Sequence, residues 1–317
     1  MSRTTVPKPP HGSLEWLRIR HRDEGGLPVV SASEAAAVHG MHRFKSKYGL
    51  AMEKLADEPE VTETTRAMDR GNRLEPVIID WASDDLGIDL VSPELMYQYQ
   101  GGFASMVATL DAINAIGPAA HPEIVVEIKT YNREWSPANM PPYWWFQGVH
   151  QAVCAGVDVI HWAIFDSTLD LHIHEQHVGE DDKELHIAAV GQFCKQVSVG
   201  VIPEDWQATY AEVAAHAPKN DGAIELDDHA QLIDSLREVQ AEKRELTDRE
   251  DELKAQLGIV LDGRESGTID GMEVVTWKHR SRTSFDAKRF AAEQPDLHHQ
   301  YQTNSTYRVM NIKGGSK

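Results

Sequence analysis

The chain has 317 residues, and its 50 Asp and Glu against 31 Lys and Arg give a formal net charge of −19. Its length can bury a sizeable core and predicts one large domain with an appendage, or two domains. The negative charge argues against polyanion binding by the whole surface, so any nucleic-acid contact must be local, in a basic cleft or through metals that offset carboxylates. With only two cysteines and no apolar run long enough for a signal peptide or a membrane span, we expect a protein of the reducing cytoplasm.

Two helices are predicted near the start of the chain, after a polar leader that contains prolines. Residues 14–22 show an amphipathic pattern that carries Trp16 and three arginines. A second helix is predicted to begin at Ser31 or Ser33, because serine before a run of alanines is a good N-cap, and Gly40 would end it. Its N-terminus beside arginines could bind a phosphate, although a plain capping serine explains the same residues.

In the middle of the chain, the sequence pattern predicts two more helices and then strands. The helices cover residues 44–56 and 68–81, and the second carries Glu75 next to Pro76. Residues 90–108 are typical of antiparallel strands joined by a glycine turn.

A β-branched run ends in Val126, Glu127, Ile128 and Lys129 and predicts a strand. The two-residue period of a strand places Glu127 and Lys129 on one face, and Asp111 lies close upstream in the sequence. Metal-dependent phosphodiester cleavage needs these groups, because two carboxylates hold a divalent cation while an ammonium positions or activates the attacking water. Surface salt bridging is the competing interpretation of the same three side chains.

A helix over residues 143–155 follows a pair of prolines and carries Gln147 and Gln151 on one face. After it, the sequence predicts a hairpin of strands and two helices, over residues 159–165 and 169–174 and then 184–199 and 204–216.

The composition changes at residues 218–222, which predict a linker. Beyond it, a four-three pattern of apolar residues predicts a charged helix of about 50 Å. Lys243 and Glu250 occupy the remaining seam positions, which favours packing onto a neighbouring domain over coiled-coil association. The last residues predict a small β-rich module in which, from Arg264 onward, nine Lys and Arg stand against six Asp and Glu. This basic face could contact DNA or could be a stabilising cap with incidental charge.

Several of these features, taken in order, resemble the YqaJ-like viral recombinase family, which is related to phage lambda exonuclease within the PD-(D/E)XK nuclease superfamily. They are the helix with Trp16 and Arg20, then Ser33, Arg70-Gly71 with Glu75, Asp111, Glu127-x-Lys129, and Gln147 with Gln151. The resemblance covers roughly residues 13 to 200, and the C-terminal pattern is similar to an extension in phage members. One departure is Ala112, where the family usually has glycine after the aspartate.

The resemblance implies an α/β (α+β) fold with a restriction-endonuclease-like core, in which helices flank a central mixed sheet. Residues 1–217 would form this exonuclease domain, residues 218–262 the linker and long helix, and residues 263–317 the small module.

The resemblance also implies the roles of the site residues. Asp111 and Glu127 would bind Mg²⁺ with the carbonyl of Ile128 as a third ligand, and Mn²⁺ would substitute because the ligands are hard oxygens. Glu75 would support a second metal or its water shell.

Two further side chains would act on the water in the implied mechanism. Lys129 would position and help to deprotonate the nucleophilic water, and Gln151 would orient that water or the lysine.

A separate pocket is implied for the 5′-phosphate of a DNA end. The matching residues are Arg20, Ser31, Ser33, Arg66 and Thr109. An arginine with serine hydroxyls at a helix N-terminus is chemically suited to a terminal phosphate.

The resemblance implies that the protein is a Mg²⁺-dependent 5′→3′ double-strand DNA exonuclease that leaves a 3′ single strand for an annealing protein. The resemblance also implies a homo-oligomer, with a ring-shaped trimer as the family form, that is encoded by a phage or prophage and acts in the bacterial cytoplasm. The alternatives are a related nuclease of other polarity, endonucleolytic or single-strand-specific, and a non-catalytic DNA-binding module on the same fold.

Overall fold

The computed structural model describes residues 2–61, 65–115, 120–202, 206–217, 220, 222–303 and 307–313. The chain divides into two compact units, residues 1–216 and 217–317. Among the described residues, no helix combines the length and the apolar character needed to cross a membrane.

The first unit is built from alternating helices and strands. Its helices are α1 Leu14–Ile19, α2 Ala35–Val38, α3 Lys47–Leu55, α4 Arg66–Leu86, α5 Pro142–Ala155, α6 Glu180–Ser198 and α7 Tyr210–His216. Its strands are β1 Ser2–Pro7, β2 Val30–Ser31, β3 Leu90–Val91, β4 Leu95–Gly101, β5 Ala104–Thr109, β6 Ala112–Asn114, β7 Val125–Thr130, β8 Val159–Phe165 and β9 Leu171–His177.

The strands form two mixed sheets. The first has the order β1-β4-β5-β2, with β2 parallel to β5 and the other pairs antiparallel. The second has the order β3-β6-β7-β8-β9, in which only β7 and β8 run parallel. Helices α5 and α6 pack on β5, and α4 packs on β7, β8 and β9. The predicted α/β fold with a mixed sheet flanked by helices is therefore confirmed, with two sheets in place of one.

Helices α4 and α5 carry predicted site residues, and their course follows from the sequence. Pro142 opens α5, where its missing N–H costs no hydrogen bond, and Gly156 ends it at a φ of 79°. Pro76 lies inside α4 and removes one helical hydrogen bond. The helix continues because Ile78 and Ala82 are buried in the core beside the second sheet.

The N-terminal residues differ from the polar leader that we expected. They form β1, which pairs with β4 from Ser2 opposite Gln100 to Pro7 opposite Leu95. Val6 is the single large apolar residue in this strand, so its sequence carries no strong strand pattern, and the pairing is supplied by the neighbouring strand.

Three predicted helices are shorter in the structure. The helices predicted over residues 14–22, 44–56 and 204–216 correspond to α1, α3 and α7. Residues 203–205, and most of the predicted linker, lie outside the described residues.

The second unit contains the predicted long helix, α8 Ala230–Leu261. A hairpin of β10 Ser266–Ile269 and β11 Met272–Thr276 follows, and then two short helices, α9 Ala287–Glu293 and α10 Pro295–Gln300. The apolar four-three pattern lies on this helix, and its packing onto a neighbouring domain stays a prediction.

Candidate active site

Asp111 lies between two strands of different sheets, two residues after the end of β5 and directly before β6. Because β6 pairs antiparallel with β7, with Ala112 opposite Val126, this position lies beside the edge of β7. The Asp111 carboxylate accepts a hydrogen bond from the backbone N–H of Ile128, with 2.8 Å between Oδ2 and N. Since the N–H and C=O of one strand residue point to the same edge, the Ile128 carbonyl faces the same side as Asp111.

Glu127 is only 3% exposed and accepts three hydrogen bonds from side chains. Lys129 Nζ and Gln147 Nε2 each lie 2.5 Å from Oε1, and Gln151 Nε2 lies 2.5 Å from Oε2. The strand period therefore brings Glu127 and Lys129 together, and the helical period turns both glutamines of α5 toward them. The burial of Glu127 excludes the interpretation of these residues as a surface salt bridge.

The charges of this site favour a bound cation. Burial raises the pKa of Asp111 well above its usual range, and the negative charge of Glu127 raises it further. Burial alone would lower the pKa of Lys129, but the Glu127 and Asp111 carboxylates outweigh it and the net shift is upward. The buried carboxylate of Glu127 and the partly buried one of Asp111 thus face one ammonium, and a divalent cation would relieve the repulsion between them.

One buried polar atom of the site has no hydrogen-bond partner among the described residues. It is the amide oxygen of Gln151, whose nitrogen donates to Glu127. A buried acceptor without a donor is costly, so its position is suited to a water or to a polar group of a ligand.

Glu75 on α4 is half-buried near this cluster. Burial raises its pKa, and Glu127 contributes to the same shift. Within the part of the chain that the structure describes, no three His, Cys, Asp and Glu side chains are grouped closely enough to bind one metal ion. Two carboxylates and the Ile128 carbonyl are therefore the donor set that fits a hard divalent cation, and Glu75 does not join Asp111 and Glu127 around a single ion.

Ala112, where glycine was expected, fits its place in the structure. It begins β6 opposite Val126, is fully buried, and does not have a positive φ. The conformational freedom of glycine is therefore not required here, and the methyl group fills the core beside Ala82 and Ala163.

A second cluster surrounds Arg20. Its Nη2 donates to Ser31 Oγ at 2.7 Å and to Ser33 Oγ at 2.8 Å, and its guanidinium lies 3.9 Å above the ring of Trp16. The Ser31 hydroxyl donates its proton to Glu34 Oε2 at 2.8 Å, whereas Ser33 is exposed. The Ser33 hydroxyl lies 3.4 Å from the Ser31 hydroxyl, a long contact, so its proton can turn from Ser31 to a ligand on the exposed side.

Glu34 and Lys54 form a buried ion pair that supports this cluster. Lys54 is 3% exposed, and its Nζ lies 2.9 and 3.0 Å from the two Glu34 oxygens and 2.7 Å from the Arg20 carbonyl. Burial would raise the pKa of Glu34, but Lys54 and Arg20 lower it to about 2. We did not predict this pair, although Ser31-x-x-Glu34 is a capping box and Lys54 follows Leu50 at helical spacing.

Two residues predicted for the same pocket do not contact it. Arg66 is the exposed first residue of α4, and no hydrogen bond or ion pair joins it to the Arg20 cluster in the described ranges. Thr109 ends β5, two residues after the partner of Ser31, and within the same ranges it does not hydrogen-bond to that cluster. The structure thus groups Arg20, Ser31 and Ser33 and leaves the other two apart.

A row of three histidines runs beside the site and was not anticipated. His150, which precedes Gln151, has its Nε2 3.2 Å from the Val107 carbonyl and its Nδ1 3.0 Å from His186 Nε2. His186 Nδ1 lies 2.9 Å from His39 Nε2. Because a carbonyl only accepts, His150 Nε2 carries a proton, and the same logic makes every ring a neutral Nε2–H donor.

The three buried histidines are expected to make the free energy of unfolding fall as the pH is lowered. Burial lowers the pKa of His150 to about 3 and of His39 to about 4, and it takes the pKa of His186 well below its usual range. Below about pH 6.5 the unfolded chain binds protons that the folded protein does not. The free energy of unfolding should therefore fall between about pH 6.5 and 4, by about 1.4 kcal/mol per pH unit for each ring that stays neutral.

Urea unfolding at pH 7, 6 and 5 measures this dependence. His150→Gln should give a shallower slope than the wild-type chain, while His177→Gln, at a side chain that is 74% exposed, should keep the wild-type slope. Equal slopes for both variants would show that the buried row does not control the acid sensitivity.

Comparison with known proteins confirms the resemblance to the YqaJ-like viral recombinase domain, whose family model matches residues 15–158. No curated protein matches the chain. Among solved structures, an alkaline exonuclease from Laribacter hongkongensis is 18% identical, with a TM-score of 0.45 over 59% of this chain and 93% of that one. The same enzyme in complex with dAMP is 17% identical, with a TM-score of 0.44 over 59% and 93%. The family match supports a nuclease of the recombination type.

Proposed function

We propose that the chain is a Mg²⁺-dependent exonuclease that degrades double-stranded DNA from 5′ to 3′ and leaves a 3′ single strand for an annealing protein. The observation that carries the proposal is the carboxylate pair of partly buried Asp111 and buried Glu127, with Lys129 and two glutamine amides bonded to Glu127. These groups lie within the stretch that matches the YqaJ-like domain.

Asp111, Glu127 and the Ile128 carbonyl would hold Mg²⁺, or Mn²⁺ in its place, and Glu75 would support a second ion or its water shell. All of these donors are oxygen atoms, which suit hard cations. A bound cation supplies neutralisation of phosphate charge and a lower pKa for the attacking water.

The chain's own side chains would orient the nucleophile. The amide oxygen of Gln151, which has no partner among the described residues, would accept a hydrogen bond from the water and fix one of its protons. The Lys129 ammonium, held by Glu127, would position the water and help its deprotonation by stabilising the hydroxide through its positive charge, with the proton passing to solvent. The nucleophile is thereby directed at the phosphorus rather than left free to rotate.

Arg20 and Ser33 would bind the 5′-phosphate of a DNA end. The guanidinium is fixed by Trp16 below it and by the two serines beside it, and the exposed Ser33 hydroxyl would turn its proton from its long contact with Ser31 to the phosphate. Ser31 would position Arg20, because its own proton is used by Glu34.

The two serines should therefore differ in their effect. Ser33→Ala is expected to lower kcat/KM on duplex with a 5′-phosphate about tenfold, since a hydrogen bond to a charged group is lost, with little change on 5′-hydroxyl ends. Ser31→Ala should reduce the preference for the phosphate less. A larger loss of preference in Ser31→Ala than in Ser33→Ala would contradict this division of roles.

The proposal extends to the assembly and setting of the enzyme. It would act as a homo-oligomer, as a ring-shaped trimer, in the cytoplasm of a bacterium that carries the phage or prophage. Light scattering during size-exclusion chromatography measures the assembly, and a monomer at working concentration would contradict it.

Digestion of linear and closed circular duplex with Mg²⁺ tests exonuclease action. Linear DNA should be degraded and the closed circle should survive, because the pocket around Arg20 requires an end. Cutting of the circle would instead identify an endonuclease.

A further inference from the structure

Residues 277–290 of the second unit combine positive charge with aromatic rings, and we call them the basic-aromatic segment. They contain five Lys and Arg against one Asp, in a chain whose formal net charge is −19. We propose that this segment binds single-stranded DNA.

The cations of the segment are available for phosphates. Lys278, Arg280 and Arg282 stand on alternate residues of a stretch without regular secondary structure, and all three are exposed. None of them forms an ion pair or a side-chain hydrogen bond with the described residues, whereas Arg289 is paired with Glu293. Unpaired cations close together in an acidic chain are where a polyanion gains most from counterion release.

The aromatic side chains favour a single strand over a duplex. Trp277 is 57% and Phe285 71% exposed, and they lie on either side of the three cations in the sequence. Trp277 is held in place by its backbone N–H, which donates to the Glu265 carbonyl at 2.8 Å. An exposed ring can stack on an unpaired base, whereas the bases of a duplex have their faces covered by neighbouring pairs.

The inference does not depend on the nuclease chemistry. If the proposed activity also holds, the ligand would be the 3′ strand that digestion leaves behind.

Binding of a fluorescent 30-nucleotide oligothymidine with a 5′-hydroxyl, measured by anisotropy on the full chain in EDTA, tests the segment without cleavage. The variant replaces Lys278, Arg280 and Arg282 by Gln. Its matched control replaces Lys243, Arg244 and Arg249 of α8 by Gln, and these residues are also exposed and form no ion pair among the described residues. Both variants change the net charge equally.

The variant of the segment should bind about tenfold or more weakly at 0.1 M salt, and the slope of log K against log salt should be shallower by about 2. The α8 control should bind as the wild-type chain does. Phe285→Leu should weaken binding about fivefold without changing the slope. Equal binding by the variant and its control would overturn the proposal, as would equal competition by a duplex closed at both ends. Either result would leave the nuclease proposal untouched, because no divalent cation is present.

Discussion

Replacing Lys129 by Met is expected to lower the rate of Mg²⁺-dependent DNA digestion by about 10²- to 10⁴-fold while the fold is kept. Methionine preserves most of the length of the side chain but cannot hold a water or stabilise the hydroxide formed from it. Glu127 loses its cation but keeps both glutamine amides of α5, so the variant should be less stable yet remain folded at the assay temperature, which urea unfolding checks.

Digestion of end-labelled duplex under single-turnover conditions measures this change. Lys195→Met, at an exposed position on α6, is the matched control and should leave the rate unchanged. A rate for Lys129→Met that stays close to that of the control would mean that the ammonium has no part in the reaction.

Lys54→Met is expected to lower the free energy of unfolding by about 3–5 kcal/mol, because it leaves the Glu34 carboxylate buried without its cation. The double variant Lys54→Met with Glu34→Gln should recover part of this loss, since the unpaired charge is removed. Urea unfolding measures both changes. Arg20 and Ser31 contact the same pair, so Lys54→Met should also lower the preference for 5′-phosphorylated ends.

The control for this prediction is Lys45→Met, which breaks an ion pair with Glu53 whose side chains are 27% and 42% exposed. Solvent screens such a pair, so the loss should be about 1 kcal/mol or less. Similar losses in the free energy of unfolding for Lys45→Met and Lys54→Met would contradict the view that burial makes the Glu34–Lys54 ion pair important for stability.

The features that the sequence predicts well are those set by local periodicity. Alternation along β7 places Glu127 beside Lys129, and the helical repeat of α5 places Gln147 above Gln151, so each pair could be assigned to one face without knowledge of the fold. The structure adds that these two faces meet, since both glutamines of α5 hydrogen-bond to Glu127 of β7.

The features that were missed depend on residues far apart in the chain. His150 lies on α5, His186 on α6 and His39 directly after α2, and no local pattern relates the three rings. The strand β1 forms because β4 offers an edge, since its own sequence has little apolar character. The family resemblance assigned Arg66 and Thr109 to the phosphate pocket together with the two serines. Only the hydrogen bonds in the structure show that the serines contact Arg20 and that the other two residues do not.

The most direct measurement of the central claim is digestion of one linear duplex with Mg²⁺, labelled at the 5′ end in one sample and at the 3′ end in another. The proposed enzyme should release the 5′ label at once as a mononucleotide, while the 3′ label stays in long single strands. Early release of the 3′ label, or equal loss of both labels from internal cuts, would contradict the proposed 5′→3′ exonuclease.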